Sequence, residues 1–309
     1  MFADVNYRAN KTELMHEAQD RLLQIKRSFK EKGNQMKFSK LATSIGLTIG
    51  SVLFVSNSAQ AAGFTTNIED YSGMPEKSTK EYKERAKENF ILESITQTNE
   101  DGITKTFSNF SFVESVNGFS NTEYNGGNTG AASTDRGDKA SAPGQTMEDT
   151  HESNIAAFLG NNNLNNIIDG EGRTFSMDLM FDSFLAEDNS GFDNLFFWER
   201  GMNSDLTIQA LDELGNLIGT EMRLKRKVNQ KYAGFDIDTK EINKAQRVGS
   251  WGVSLADLGV TTGGIQGIRV SADSSHKGPD FKVIARNSYT KDFAQAAKVP
   301  EPGTIIGLG

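Results

Sequence analysis

An alternation of apolar and polar side chains within residues 173–185 constrains the fold more than any other feature of this chain. The apolar positions are Phe175, Met177, Leu179, Phe181 and Leu185, and the polar positions between them include Ser176, Asp178 and Asp182. Because successive side chains of a strand point to opposite faces, a period of two predicts a β-strand with one buried face.

Further strand patterns follow this segment. The dense apolar run 192–199 is typical of a strand covered on both faces. Residues 205–224 have the pattern of a hairpin with its turn at Leu214-Gly215-Asn216. Additional strands are predicted at 103–116, 232–238, 247–255, 265–272 and 280–286. This pattern, without alternating helices, predicts a mainly β fold, an antiparallel β-sandwich or jelly-roll-like domain, with a short N-terminal helix within 76–90.

Changes in composition divide the chain into six segments. We expect a charged N-terminal extension, a signal peptide, a helix with a first strand, a polar loop or linker, the β-sandwich domain, and a linker with a truncated sorting signal. Their bounds are 1–35, 36–61, 62–116, 117–154, 155–290 and 291–309, respectively.

Residues 36–62 have the order of parts found in a secretory signal peptide. Lys37 and Lys40 precede an uncharged apolar stretch, and Ala59-Gln60-Ala61 forms an A-x-A cleavage pattern. An uncleaved anchor is the alternative, but the apolar stretch is shorter than the ~20 residues of a membrane-spanning helix. Residues 1–35 are either an extended n-region or the product of an upstream start codon. We favour the second, because Met36 opens a complete signal.

Charge and cysteine content exclude several functions. The full chain has a formal net charge of −8, and removal of 1–61 leaves 24 Lys/Arg against 36 Asp/Glu, a net charge of −12. A general nucleic-acid binder needs a basic surface, so no nucleic-acid partner is expected. The absence of Cys excludes disulfides, thiolate zinc sites and cysteine nucleophiles.

The sequence offers no candidate catalytic residues, and we therefore expect a protein that is not an enzyme. Asp178 and Asp182 would lie about 13 Å apart on one strand, too far for a glycosidase pair. The run 271–280 places Asp273, Ser274 and His276 together but has the composition of a turn.

The acidic run 186–194 leaves one cofactor open. It clusters Glu187, Asp188, Asn189 and Asp193, and such oxygen ligands suit calcium. The spacing does not match the EF-hand loop, so we favour an ordinary acidic turn and expect no cofactor.

Val299-Pro300-Glu301-Pro302, followed by small and apolar residues, resembles the start of a PEP-CTERM sorting signal of the cyanobacterial type. The segments NNNLNNIID, DNLFFWERGMNSDL and GPDFKVIAR also resemble cyanobacterial exosortase-dependent surface proteins. The resemblance implies export, recognition of Pro300, Glu301 and Pro302 by exosortase machinery, and delivery to the cell surface or matrix.

The family's tail continues as a membrane-spanning helix and a basic cluster, neither of which is present up to Gly309. Either the sequence is a fragment or the anchor has been lost, and a membrane contact is expected only through that helix.

These patterns predict an exported surface or matrix protein with a structural or adhesive role, with exopolysaccharide in biofilm material as a candidate partner. A lectin-like carbohydrate-binding module is the alternative, with Trp198, Trp251 or an exposed tyrosine stacking on sugars, although Trp in such strands is more often part of the core. A polysaccharide-acting hydrolase would need two carboxylates from different strands in one cleft.

Overall fold

A computed structural model describes residues 63–122, 130–143, 148–242 and 244–288. Within these ranges fifteen strands and two α-helices form. The strands are β1 (Phe64–Ile68), β2 (Leu92–Thr98), β3 (Thr104–Phe107), β4 (Phe110–Ser111), β5 (Val113–Asn121), β6 (Ala132–Arg136), β7 (Asn166–Gly170), β8 (Phe175–Ala186), β9 (Leu195–Arg200), β10 (Leu206–Leu211), β11 (Leu217–Leu224), β12 (Lys231–Ile237), β13 (Gln246–Val253), β14 (Gly264–Ala272) and β15 (Asp280–Arg286). The helices are α1 (Lys80–Arg85) and α2 (Glu152–Leu159).

The strands form three antiparallel sheets. The five-stranded sheet has the order β11-β10-β14-β8-β5, and the three-stranded sheet has the order β1-β2-β3. The seven-stranded sheet has the order β12-β13-β9-β15-β7-β6, with β4 paired to β15. The fold is therefore mainly β, as the sequence predicted.

One hydrophobic core lies between the five-stranded and seven-stranded sheets. The alternating apolar side chains of β8 are all buried there, as predicted, and they pack with Phe197 of β9 and Val283 of β15. The Phe175 and Phe281 rings stack with their centroids 6.3 Å apart. Each such side chain contributes about 1.5–3 kcal/mol on burial, so this interface is the main source of the sandwich's stability.

A second core covers the other face of the seven-stranded sheet. Phe196 and Trp198 point to this face and pack against the three-stranded sheet. The Phe64 ring lies edge-on to both, with centroid distances of 4.9 and 5.5 Å, and the Trp198 Nε1 atom donates to the Thr66 hydroxyl at 3.0 Å. Strand β9 is therefore buried on both faces, which confirms the prediction from its dense apolar run.

The structure corrects the single strand predicted at 103–116. This segment contains β3, β4 and the start of β5, and each belongs to a different sheet. The chain thus passes through all three layers within 20 residues. The apolar pattern did not show this, because each strand is too short for a period to be visible.

The predicted linker at 117–154 also differs from the structure. Strand β5 continues to Asn121, β6 forms at Ala132–Arg136 with four of its five residues buried, and α2 begins at Glu152. Strand β6 has the sequence ASTDR, whose small and polar side chains gave no apolar pattern from which a buried strand could be predicted. The sandwich consequently begins well before residue 155.

Within 76–90, where the sequence predicted a helix, only the six residues of α1 are helical. The Thr79 hydroxyl caps α1 by accepting a hydrogen bond from the Tyr82 backbone N–H at 3.1 Å. No helix in the described part of the chain has the length and apolar character needed to cross a bilayer.

Candidate functional site

The predicted sorting and cleavage residues, Pro300, Glu301, Pro302, Ala59 and Ala61, lie outside the described residues.

In the acidic run 186–194, Asp188, Asp193 and Glu187 each have a protein donor of their own, although Glu187 Oε2 has none. Arg286 donates to both oxygens of Asp188 at 2.7 and 3.2 Å. The Gln97 side-chain amide donates to Asp193 at 2.6 Å, and Glu187 accepts from the Asn189 backbone N–H at 2.7 Å. Among the described residues, the carboxylate oxygens of this run do not converge as those of a three-ligand site would.

Asp178 and Asp182 are likewise separate from each other. Arg269 donates to both oxygens of Asp178 at 2.6 and 2.8 Å, and the Ser111 hydroxyl donates to Asp182 at 2.5 Å. The two carboxylates therefore have different partners and do not form a pair.

His276 lies in an arrangement that resembles a catalytic triad. Its Nε2 atom is 2.9 Å from the Thr207 hydroxyl, and its Nδ1 atom is 2.9 Å from Asp273. However, the Asp273 backbone N–H also donates to Nδ1 at 3.1 Å, and Thr207 is buried within β10. The imidazole thus joins a turn to a strand, in line with the turn predicted at 271–280.

The topology does bring together three carboxyl groups that are distant in sequence. Asp135 of β6, Asp169 of β7 and Glu241 in the segment after β12 each place a carboxylate oxygen within 4.8 Å of the others. We call these three residues the acidic cluster. Ser133 lies opposite Asp169 in the antiparallel register of β6 and β7. Asp135 and Asp169 therefore lie on the same face of the sheet as diagonal neighbours.

Backbone contacts hold the segment that carries Glu241 against the end of β6. Gly137 and Thr239 form an isolated β-bridge, and the Lys240 N–H donates to the Arg136 carbonyl at 3.0 Å. Gly137 has to lack a side chain, because a Cβ there would lie 2.4 Å from Asn165 Nδ2 and 2.5 Å from the Lys87 carbonyl oxygen. Strands β6 and β12 are the two edges of the seven-stranded sheet. The segments after these edges thus meet beside the acidic cluster.

The buried cation of this region, Arg200, is already paired. Its Nη1 atom is 2.9 Å from Asp280, and its guanidinium also donates to the carbonyls of Ile237 and Ile242 at 3.4 Å. Among the described residues, no ion pair joins Arg200 or another base to the acidic cluster. The cluster therefore has no ion-pair partner of its own in this part of the chain.

Burial and mutual repulsion shift the ionisation of these acids. Burial raises the pKa of Asp169 to about 9, with a further contribution from nearby Asp280. Contact with Asp169 and burial raise the pKa of Glu241 to about 8, and burial raises the pKa of Asp135. Beside them, burial raises the pKa of Glu171 to about 7. Such shifts are expected where carboxyl groups share a poorly solvated space without a cation.

Two polar atoms at the acidic cluster lack a hydrogen bond of good geometry. Asp135 Oδ2 and Thr239 Oγ1 are both inaccessible to solvent, and both residues have a relative exposure of 0%. The Thr239 hydroxyl is close enough to oppose the effect of burial on the pKa of Asp135. Unpaired buried polar atoms are uncommon in native proteins, so two at one site call for an explanation.

An open groove of about 550 Å³ lies between β5 and α2, and Val113, Glu114, His151 and Gly160 are among its lining residues. Its polar groups have local partners: Glu152 accepts a hydrogen bond from the Phe119 backbone N–H at 2.9 Å, and His151 Nδ1 is 3.1 Å from the Ser153 hydroxyl. The residues of the acidic cluster do not line this groove.

Comparison with protein-family models, curated proteins and solved structures finds no match to this chain. The candidate site therefore rests on its own geometry. Sequence reasoning missed Asp135 and Asp169 because each lies alone in its segment. The only local signal is a carboxyl residue within a short strand whose other residues are buried.

Proposed function

We propose that this chain is an exported cell-surface or extracellular-matrix protein with a structural or adhesive role, sorted by exosortase machinery. The observation that carries the proposal is the order of segments: an export-signal pattern at 36–61, a β-sandwich, and the Val299-Pro300-Glu301-Pro302 motif. A rigid β-sandwich with an acidic surface is well suited to a passive role outside the cell.

Export is tested by N-terminal sequencing of protein recovered from the periplasm of a bacterial host that expresses the full chain. Cleavage after Ala61 is expected, so the recovered protein should begin at Ala62. A variant with Ala59→Lys and Ala61→Lys should remain as the precursor. Gln60→Lys is the matched control, because the middle position of the A-x-A pattern accepts large residues. Efficient cleavage of the double variant would contradict the proposed signal.

Sorting is tested by reading the gene past codon 309 and by fractionating cells that carry an exosortase system. An apolar helix followed by Lys or Arg residues is expected beyond Gly309. Glu301→Ala should then retain the protein in the membrane fraction, whereas Lys298→Ala should not. A stop codon directly after Gly309 in the natural gene would contradict this part of the proposal.

A carbohydrate-binding role is the second candidate, but its residues differ from those expected from the sequence. Trp198 and Trp251 are 1% and 2% exposed and belong to the two cores, so they cannot stack on sugars. The surface between β11 and β12 favours an anionic glycan instead. Residues 223–231 contain five Lys or Arg and no acidic residue. Two of the five, Arg223 and Arg226, form ion pairs with Asp205, so the test below changes Lys225 and Lys227.

Binding of the full chain to uronic-acid or sulfated polysaccharide tests this second candidate. Reversing Lys225 and Lys227 to Glu should abolish retention on such a polymer at low salt. Reversing Lys80 and Lys83 on α1 is the control and should leave retention unchanged. Equal retention of the unmodified chain and of the Lys225/Lys227 variant would contradict the assignment.

The hydrolase alternative requires two carboxylates from different strands at a glycosidase distance, and it requires them to line a cleft. The structure meets only the first condition. Carboxylate oxygens of Asp135 and Asp169 lie within 4.8 Å, which approaches the ~5–5.5 Å separation of a retaining glycosidase pair. Both side chains are nevertheless buried, at 0% and 4% exposure. A glycosidase pair must contact a sugar ring directly, so this geometry favours a small ligand over a polysaccharide.

A further inference from the structure

We propose that the acidic cluster is a calcium-binding site in which Asp135, Asp169 and Glu241 supply carboxylate ligands and Thr239 supplies a hydroxyl ligand. This site lies apart from the run 186–194, and its existence does not depend on the proposed function.

The separation of the carboxylate oxygens fits one calcium ion. Calcium binds oxygen ligands at about 2.3–2.6 Å, so two ligands on opposite sides of the same ion lie no more than about 5 Å apart. The three oxygens of the acidic cluster all fall within 4.8 Å of one another. A single ion can therefore contact all three without a change in the backbone.

The unpartnered buried atoms provide an independent reason to expect a ligand here. Thr239 Oγ1 and Asp135 Oδ2 are buried and close to each other, but neither makes a hydrogen bond of good geometry. A buried polar atom without a partner costs about 1–3 kcal/mol. Coordination to a cation would satisfy both atoms at once.

The charges and the donor set select calcium. Three carboxylates face each other while the nearby guanidinium of Arg200 is taken by Asp280. Zinc prefers nitrogen and sulfur ligands, and magnesium requires a nearly ideal octahedron at 2.0–2.1 Å. Calcium accepts six to eight oxygens in irregular arrangements. Water can complete its coordination, because the Glu241 side of the cluster is exposed.

The position of the site suggests what calcium would do. Asp135 and Asp169 lie on β6 and β7 at one edge of the seven-stranded sheet, and Thr239 and Glu241 follow β12 at the other edge. One bridge, between Gly137 and Thr239, joins the segments beyond these edges. A calcium ion bound to both segments would hold this closure together. Calcium should therefore stabilise the folded protein.

The test is thermal unfolding of the full chain at pH 7.5 in 10 mM calcium chloride, in 10 mM magnesium chloride and in EGTA. Calcium affinities of extracellular sites are about 10⁻⁴–10⁻³ M. The unfolding midpoint should accordingly rise by about 5–10 °C in calcium relative to EGTA. Magnesium should raise it by less than half as much.

Two variants locate the effect. Glu241→Gln, at an exposed position, should fold normally and lose most of the calcium-induced shift. Asp169→Asn should lose all of it while remaining at least as stable as the unmodified chain in EGTA, which separates loss of binding from misfolding. Asp193→Asn removes a buried carboxyl elsewhere and should retain the full shift. Equal midpoints in calcium and EGTA, or a calcium shift that survives in both cluster variants, would overturn the proposal.

Discussion

Two acidic regions of this molecule differ in a way that composition does not show. In the run 186–194, burial works to raise the pKa of Asp188, but Arg286 and Ser190 overcome that effect and the pKa lies below its usual value. In the acidic cluster, burial raises the pKa of Asp169 to about 9. Asp188 thus has a cationic partner, whereas Asp169 has burial and neighbouring carboxyl groups but no ion pair among the described residues.

The difference teaches that neighbours in sequence are a poor guide to a cation site in a β-sandwich. Residues of one loop can satisfy each other through local turns, as Glu187 and Asn189 do. Residues brought together from β6, β7 and the segment after β12 cannot satisfy each other through local turns, because strand register fixes their positions. A ligand set is more readily built from separate strands that meet at a sheet end.

The largest expected change in the free energy of unfolding comes from removing the Asp188 carboxylate in the run 186–194. Asp188→Asn leaves the Arg286 guanidinium, 7% exposed, without its carboxylate. Loss of one partner of a buried pair is strongly destabilising, and we expect the free energy of unfolding in urea to fall by about 3 kcal/mol. Asp178→Asn is the matched control. Its partner Arg269 is 40% exposed, so a loss under about 1 kcal/mol is expected. Equal losses would mean that burial does not set the strength of these pairs.

The next effect depends on pH. Burial raises the pKa of Asp193 to about 8. The folded state therefore holds a proton that the unfolded state releases near pH 4, so this contribution to stability is complete below pH 4 and is lost as pH rises through 8. Between pH 6 and 8 the free energy of unfolding should fall by about 2 kcal/mol on this account.

Asp193→Asn should flatten that decline without abolishing it, because burial also raises the pKa of Glu199 to about 8. The measurement is urea unfolding at pH 6, 7 and 8, with Asp101→Asn, at an exposed position, as the control. A decline of the same steepness in Asp193→Asn would refute the assignment to this carboxyl.

A smaller effect of opposite sign is expected in the acidic cluster. Asp169→Asn removes a poorly solvated acid next to Asp135 and Asp280, and such replacements are often stabilising. In EGTA at pH 7.5 the variant should be more stable than the unmodified chain by about 1–2 kcal/mol. A loss of stability as large as that of Asp188→Asn would show that the two regions do not differ.

The smallest effect concerns Thr239. Thr239→Val preserves shape and removes a buried hydroxyl without a good hydrogen bond, so the stability in EGTA should rise by about 1 kcal/mol. Calcium affinity should fall about threefold to tenfold, measured from the midpoint of a calcium titration of thermal stability. The exposed Thr104→Val is the control and should leave the affinity unchanged. An unaltered affinity in Thr239→Val would remove this hydroxyl from the ligand set.

Much of the fold could be predicted from the sequence, for a physical reason. Strand β8 alternates over most of its length because one of its faces is buried in the sandwich, and the hairpin of β10 and β11 has Gly215 in its turn with φ +78°. Residues 195–198 of strand β9 are all apolar because Phe197 faces one core and Phe196 the other. In these elements the local pattern and the tertiary packing agree.

The acidic cluster could not be predicted, because it depends on non-local pairing. Strand β6 resembles a polar loop in sequence, and its buried Ser133 and Asp135 give no apolar signal. The contact between Gly137 and Thr239 joins segments about 100 residues apart. No window of the sequence contains both. In the one acidic window that stood out, 186–194, Arg286 binds Asp188 and the Gln97 amide binds Asp193.

Calcium titration calorimetry at pH 7.5 on Asp169→Asn and Asp188→Asn compares the two regions most directly. Asp188→Asn should bind one calcium ion per chain with the affinity of the unmodified protein, because the run 186–194 is not part of the site. Asp169→Asn should show no binding heat above dilution. Binding that is lost in Asp188→Asn and preserved in Asp169→Asn would place the ion in the acidic run and contradict the account.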